Sequence, residues 1–78
     1  MKQIIEGKLY DTEKSTKIYS DCFRKIYKTN NGNYFLQTPF DISPLTEHQV
    51  RRFIECYINI SHDAYELYVK EFGEPEEA

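Results

Sequence analysis

The sequence predicts an α+β fold: a small antiparallel β-sheet of two hairpins, followed by two α-helices packed on one face. Three observations predict it. The turn-forming pairs Glu6-Gly7 and Asn31-Gly32 each lie between short runs rich in β-branched and aromatic residues. The second half instead carries apolar residues at helical spacing behind recognisable start signals. Strand and helix regions come in consecutive blocks with no internal repeat, which argues against a parallel βαβ arrangement. At 78 residues the chain holds one core, because a domain of this size buries only about 60% of its unfolded surface. A single domain over residues 1–78 follows, with 74–78 as a frayed acidic tail.

The first hairpin is read from Ile4-Ile5-Glu6-Gly7-Lys8-Leu9-Tyr10, where a Glu-Gly step separates two short apolar runs. Residues 11–17 are polar and aperiodic, which reads as a loop. The second hairpin joins Phe23–Thr29 to Tyr34–Thr38 through Asn30-Asn31-Gly32-Asn33. A type I′ turn centred on Asn31-Gly32 pairs Thr29 with Tyr34, Tyr27 with Leu36 and Lys25 with Thr38. That register puts Phe23, Tyr27 and Leu36 on the core face and leaves Ile26 and Phe35 on the other. Pro39 and Pro44 bracket an irregular connection.

Thr46 and Gln49 form a capping box with Leu45 placed to staple onto Val50, and Glu47 suits the positive end of a helix dipole. Val50, Phe53, Ile54, Tyr57 and Ile58 then make one apolar stripe, predicting a helix over 46–58. Ser61 reads as the cap of a second helix, Ile60 as its staple, and Ala64, Leu67, Tyr68 and Phe72 as its inner stripe. Gly73 and Pro75 stop it.

Charge divides the chain. Residues 1–39 hold seven bases and four acids, whereas residues 40–78 hold three bases and nine acids. No apolar run approaches the roughly 20 residues of a membrane span, and the N-terminus carries no apolar leader. The two cysteines are not in a C-x-x-C pair. A cytoplasmic protein with reduced thiols is the expectation.

Catalytic chemistry finds little support. Only Cys22, His48, Cys56 and His62 offer zinc ligands, and their spacing lacks the close pairs of structural zinc sites. Cys22 and Cys56 read as small core thiols. No nucleophile elbow, P-loop, dinucleotide fingerprint or H-E-x-x-H motif is present. The expectation is a non-enzymatic protein with no cofactor and no bound metal.

Two surfaces compete as binding faces. Asp63, Glu66, Tyr68, Glu71 and Glu74 form an acidic, tyrosine-bearing candidate for docking onto a basic groove of a protein partner. Arg24, Lys25, Lys28, Tyr34 and Phe35 form a basic aromatic hairpin suited to stacking on bases beside phosphates. The net charge of −3 weighs against direct nucleic-acid binding. A third expectation is a homodimer that buries Ile26 and Phe35.

Gly7-Lys8-Leu9-Tyr10-Asp11-Thr12-Glu13, Ile26-Tyr27-Lys28-Thr29 with Gly32-Asn33-Tyr34-Phe35-Leu36, Ile42-Ser43-Pro44-Leu45-Thr46-Glu47 and Phe72-Gly73-Glu74 together resemble a group of small proteins of Firmicutes, their phages and mobile elements. The likeness spans nearly the whole chain but carries structural signals and no catalytic residue. This chain is shorter than that group between Thr12 and Ile26 and between Leu36 and Ile42. The resemblance implies an accessory protein of a bacterial host cell, binding a host factor such as a nucleic-acid-handling defence effector in the manner of an anti-CRISPR inhibitor.

Overall fold

The structure, a computed structural model, describes residues 1–58 and 62–77. It is an α+β fold with six strands and two helices among those residues: β1 (Lys2–Ile5), β2 (Lys8–Asp11), β3 (Thr16–Ser20), β4 (Lys25–Lys28), β5 (Tyr34–Gln37), β6 (Ile42–Leu45), α1 (Glu47–Glu55) and α2 (His62–Phe72). The strands form a two-stranded sheet, β1-β2, and a four-stranded antiparallel sheet in the order β3-β4-β5-β6. The chain divides into two compact units, Met1–Glu47 and His48–Ala78.

The first hairpin forms as its Glu-Gly step dictates. Glu6 and Gly7 both take positive φ, 52° and 78°, the combination that lets a two-residue turn match the twist of its strands. Gln3, Ile5, Lys8 and Tyr10 share one face of this hairpin. Tyr10 is buried with its ring edge-on to Phe35, centroids 5.5 Å apart. Tyr27 stacks on the same Phe35 ring at 5.1 Å, and Ile42 and Ile5 complete the cluster. Three aromatic rings therefore supply the volume that a core of this size takes from aliphatic side chains elsewhere.

The second hairpin departs from its predicted register by one residue. Lys28 pairs with Tyr34, Tyr27 with Phe35, Ile26 with Leu36 and Lys25 with Gln37. The reason lies in the turn. Glu6 is the only described non-glycine residue with positive φ, so Asn31 cannot supply a type I′ turn. The N–H of Gly32 instead donates to the carbonyl of Thr29 at 2.9 Å, and the N–H of Thr29 to the carbonyl of Asn33 at 2.7 Å. This is a type I turn through Asn30 and Asn31 closed by Gly32 in the left-handed region (φ 85°), the three-residue loop with a bulge. One extra loop residue moves every side chain of one strand to the opposite face. Tyr27 and Phe35 thus face the same way, and Ile26 lies on the reverse face, also fully buried.

Two further strands escaped the sequence reading. β3 occupies residues assigned partly to a loop, its alternation broken by a register shift between Lys17 and Tyr19 that leaves Ile18 unpaired. β6 occupies the supposed irregular connection. Pro44 is tolerated there because β6 is an edge strand, where one row of backbone N–H groups needs no partner.

In the second unit α1 begins directly after Thr46 and ends at Glu55, and a tightened turn continues to Ile58 through the Tyr57 N–H and the Ile54 carbonyl at 3.0 Å. Val50 and Ile54 are buried, while Phe53 and Tyr57 are half-buried with ring centroids 5.1 Å apart. α2 ends where Gly73 takes φ 87° and donates to the carbonyl of Val69 at 2.9 Å, the expected glycine stop. The predicted cap Ser61 and staple Ile60 lie outside the described residues. No described helix is long and apolar enough to cross a membrane.

Candidate functional site

The antiparallel order places the β3–β4 and β5–β6 turns at one end of the four-stranded sheet and the β4–β5 turn at the other. The first two turns share one construction. In Asp21-Cys22-Phe23-Arg24, the Asp21 carboxylate accepts the N–H groups of Phe23 at 2.9 Å and Arg24 at 2.7 Å. In Thr38-Pro39-Phe40-Asp41, the Thr38 hydroxyl accepts the N–H groups of Phe40 and Asp41, both at 3.2 Å. Each time a side-chain oxygen takes the place of the backbone carbonyl that ordinarily closes a turn. A backbone bond completes each: Asp21 N–H to Arg24 carbonyl at 2.8 Å, and Thr38 N–H to Asp41 carbonyl at 2.9 Å.

Both turns present a phenylalanine at the third position. Phe23 is 76% exposed and Phe40 92% exposed. The two turns lie two strand spacings apart, roughly 10 Å, along this end of the sheet. Between the turns lies a small recess of about 130 Å³ lined by residues of both, including Phe23, Lys25, Thr38 and Pro39.

The electrostatics hold this end in shape. The backbone N–H of Phe23, then that of Arg24, keep the Asp21 carboxyl below the usual carboxylate range, and the Tyr19 hydroxyl and the Arg24 guanidinium act in the same direction. The guanidinium lies 3.2 Å from the carboxylate. Thr38 donates its hydroxyl proton to Asp41 at 3.0 Å. Acids and bases alternate here, so the aromatic end carries little net charge.

The residues singled out from sequence fare differently. Phe23, expected in the core, is among the most exposed side chains of the chain. Tyr34 and Phe35, expected as stacking platforms, are 6% and 0% exposed, so the basic hairpin offers no ring face to a base. Arg24 is turned onto Asp21, Lys28 lies over the Tyr34 ring with Nζ 5.7 Å from its centroid, and Lys25 is exposed. The buried state of Ile26 and Phe35 within one chain removes them as a dimer surface. Cys22 and Cys56, read as core thiols, are both exposed and free. Among the described residues no three His, Cys, Asp or Glu side chains stand close enough to hold a metal ion.

On α2, Asp63 and Glu66 are exposed, as is Glu74 beyond the helix stop, whereas Tyr68 and Glu71 are half-buried. Tyr68 packs on Phe72 at 5.3 Å, and the Arg51 guanidinium lies 4.7 Å from the centroid of the Phe72 ring. Helical spacing puts Lys70 one turn after Glu66 on the same face and sets Glu71 to the side, so the acidic surface is narrower than the composition suggested.

Sequence reasoning missed Phe40 altogether, although a signal exists: an Asp or Thr followed two residues later by Phe occurs at both turns, in Asp21-Cys22-Phe23 and Thr38-Pro39-Phe40. No protein family, curated protein or solved structure matches this chain.

Proposed function

We propose that this chain acts by binding another protein and not by catalysis, with Phe23 and Phe40 as the anchors of the docking surface. The observation that carries this reading is their exposure on turns that side-chain hydrogen bonds already hold in place. Withdrawing a phenylalanine from water contributes about 1.5–3 kcal/mol, and a ring on a preordered turn gives up little conformational freedom on binding. Aromatic anchors of this kind dominate protein interfaces. Asp21 is paired with Arg24 and Asp41 accepts the Thr38 hydroxyl, so this end carries little net charge and suits a partner that offers apolar recesses for the two rings.

The likeness to small phage and mobile-element proteins extends the reading to an inhibitor of a bacterial defence system that covers a nucleic-acid-binding surface of its target. The exposed carboxylates of Asp63, Glu66 and Glu74 are consistent with a basic target surface.

The test is site-specific photo-cross-linking in lysate of a native bacterial host, with a photoreactive phenylalanine analogue placed in turn at positions 23 and 40 and, as control, at position 14. We expect one protein captured from both turn positions and not from position 14, and competed by the unmodified chain but not by a Phe23→Ser/Phe40→Ser variant. Equal capture from all three positions, or equal competition by the variant, would overturn the aromatic docking surface. Competition lost instead in Glu66→Lys/Glu71→Lys/Glu74→Lys would move the interface to the acidic helix.

A further inference from the structure

The opposite end of the four-stranded sheet carries a second, chemically different site. An open cleft of about 490 Å³ lies there, lined by Lys8, Leu9, Tyr10 and Asp11 of β2, Lys14 and Ser15 of the following loop, and Thr29, Asn30, Asn31 and Asn33 of the β4–β5 turn. From its composition we infer that this cleft binds a phosphate ester of a hydroxyl-bearing group, a sugar phosphate such as the ribose-phosphate unit of a mononucleotide.

Both walls are held by their own hydrogen bonds. The Asp11 carbonyl accepts the Ser15 hydroxyl at 2.7 Å and the Lys14 N–H at 3.3 Å, and the Asp11 carboxylate accepts the Glu13 N–H at 3.0 Å. Across the cleft, the Thr29 hydroxyl accepts the Asn33 N–H at 3.0 Å, in addition to the two backbone bonds that close the turn. A site built on such walls spends little entropy on closing around a ligand.

The lining defines the ligand. Lys8 and Lys14 are exposed, and neither forms an ion pair among the described residues, so two ammonium groups are available for an anion. The exposed side-chain amides of Asn30, Asn31 and Asn33 each offer donors and an acceptor, the pattern that hydroxyl groups complement. The carboxylate in the lining, Asp11, is 8% exposed and turned to the Glu13 N–H, so it presents little surface to a ligand. Leu9, half-exposed, is the apolar side chain a ligand could meet there, since Tyr10 is buried in the core. Inorganic phosphate alone would leave most of the cleft empty, whereas a mononucleotide is of the right order for a pocket of this size.

The test is an amide NMR titration of the whole chain with ribose 5-phosphate, adenosine monophosphate, ribose and inorganic phosphate in parallel. We expect saturable shifts confined to residues 8–15 and 29–33 with the two phosphate esters, and at least roughly tenfold weaker binding of ribose and of phosphate. Lys8→Gln/Lys14→Gln should lower ester affinity roughly tenfold or more while leaving the remaining amide spectrum in place. Tighter binding of adenosine monophosphate than of ribose 5-phosphate would assign a base contact to Leu9 and narrow the ligand to nucleotides. No saturable shift below about 10 mM, shifts spread equally over Lys2, Lys17 and Lys25, or an unchanged affinity of the double variant would each overturn the proposal. Because the site lies at the far end of the sheet from Phe23 and Phe40, either proposal can fail without the other.

Discussion

The two ends of the four-stranded sheet solve the same geometric problem with different chemistry. At the β4–β5 end the chain reverses through Asn30-Asn31-Gly32, where two backbone bonds and the Thr29 hydroxyl close the loop and a glycine takes the left-handed conformation. At the other end the Asp21 carboxylate and the Thr38 hydroxyl close the turns, and no residue of either turn needs positive φ. The Asp21 and Thr38 turns hold Cys22, Phe23, Pro39 and Phe40, whereas the glycine-dependent turn holds Asn30 and Asn31. One end is therefore apolar and the other polar, and the two suit different ligands.

The comparison breaks first, and with the largest effect, at the rings. Phe35→Ala should cost about 3–5 kcal/mol, because Phe35 is fully buried between Tyr10 and Tyr27. Phe40→Ala should change stability by less than about 0.5 kcal/mol. Urea unfolding of the two variants measures both, and comparable losses would mean that Phe40 is covered and not available for docking.

A smaller effect separates the two turn geometries open to Asn30-Asn31-Gly32. In the observed turn Asn30 is the first corner residue, a position that favours proline, so Asn30→Pro should shift stability by no more than about 0.5 kcal/mol. In a type I′ turn on Asn31-Gly32 the Asn30 N–H would belong to the strand ladder, and proline there would cost well over about 1 kcal/mol. Thermal unfolding of this variant decides between them.

The smallest effect is a local one with acid. Asp21 has a folded pKa below its unfolded value, so its contribution to the turn is fully present above the unfolded value. It is lost as pH falls below about 4 and through the lower folded value. The amide resonances of Phe23 and Arg24 should move with the Asp21 carboxyl in that window, and the movement should vanish in Asp21→Asn. Movement that persists in the variant would show that another group controls the turn.

Local signals in the sequence determined much of this fold: the Glu6-Gly7 turn, the existence of the β4–β5 hairpin, the stripe of α1 with its start after Thr46, and the glycine stop of α2. Each depends on residues within about one turn of one another, where backbone conformational preferences act directly. What required tertiary structure was the register of the β4–β5 hairpin, the strand character of Thr16–Ser20 and Ile42–Leu45, and which phenylalanine lies inside. Asn31-Gly32 is compatible with two loop lengths, and the longer one lets Tyr10, Phe35 and Tyr27 meet in one cluster. A bulged strand and a proline-bearing edge strand lack clean alternation, and they form because neighbouring strands supply their hydrogen bonds. The sequence alone thus settled where the chain bends, while only packing across strands decided that Phe35 is core and that Phe23 and Phe40 face the solvent.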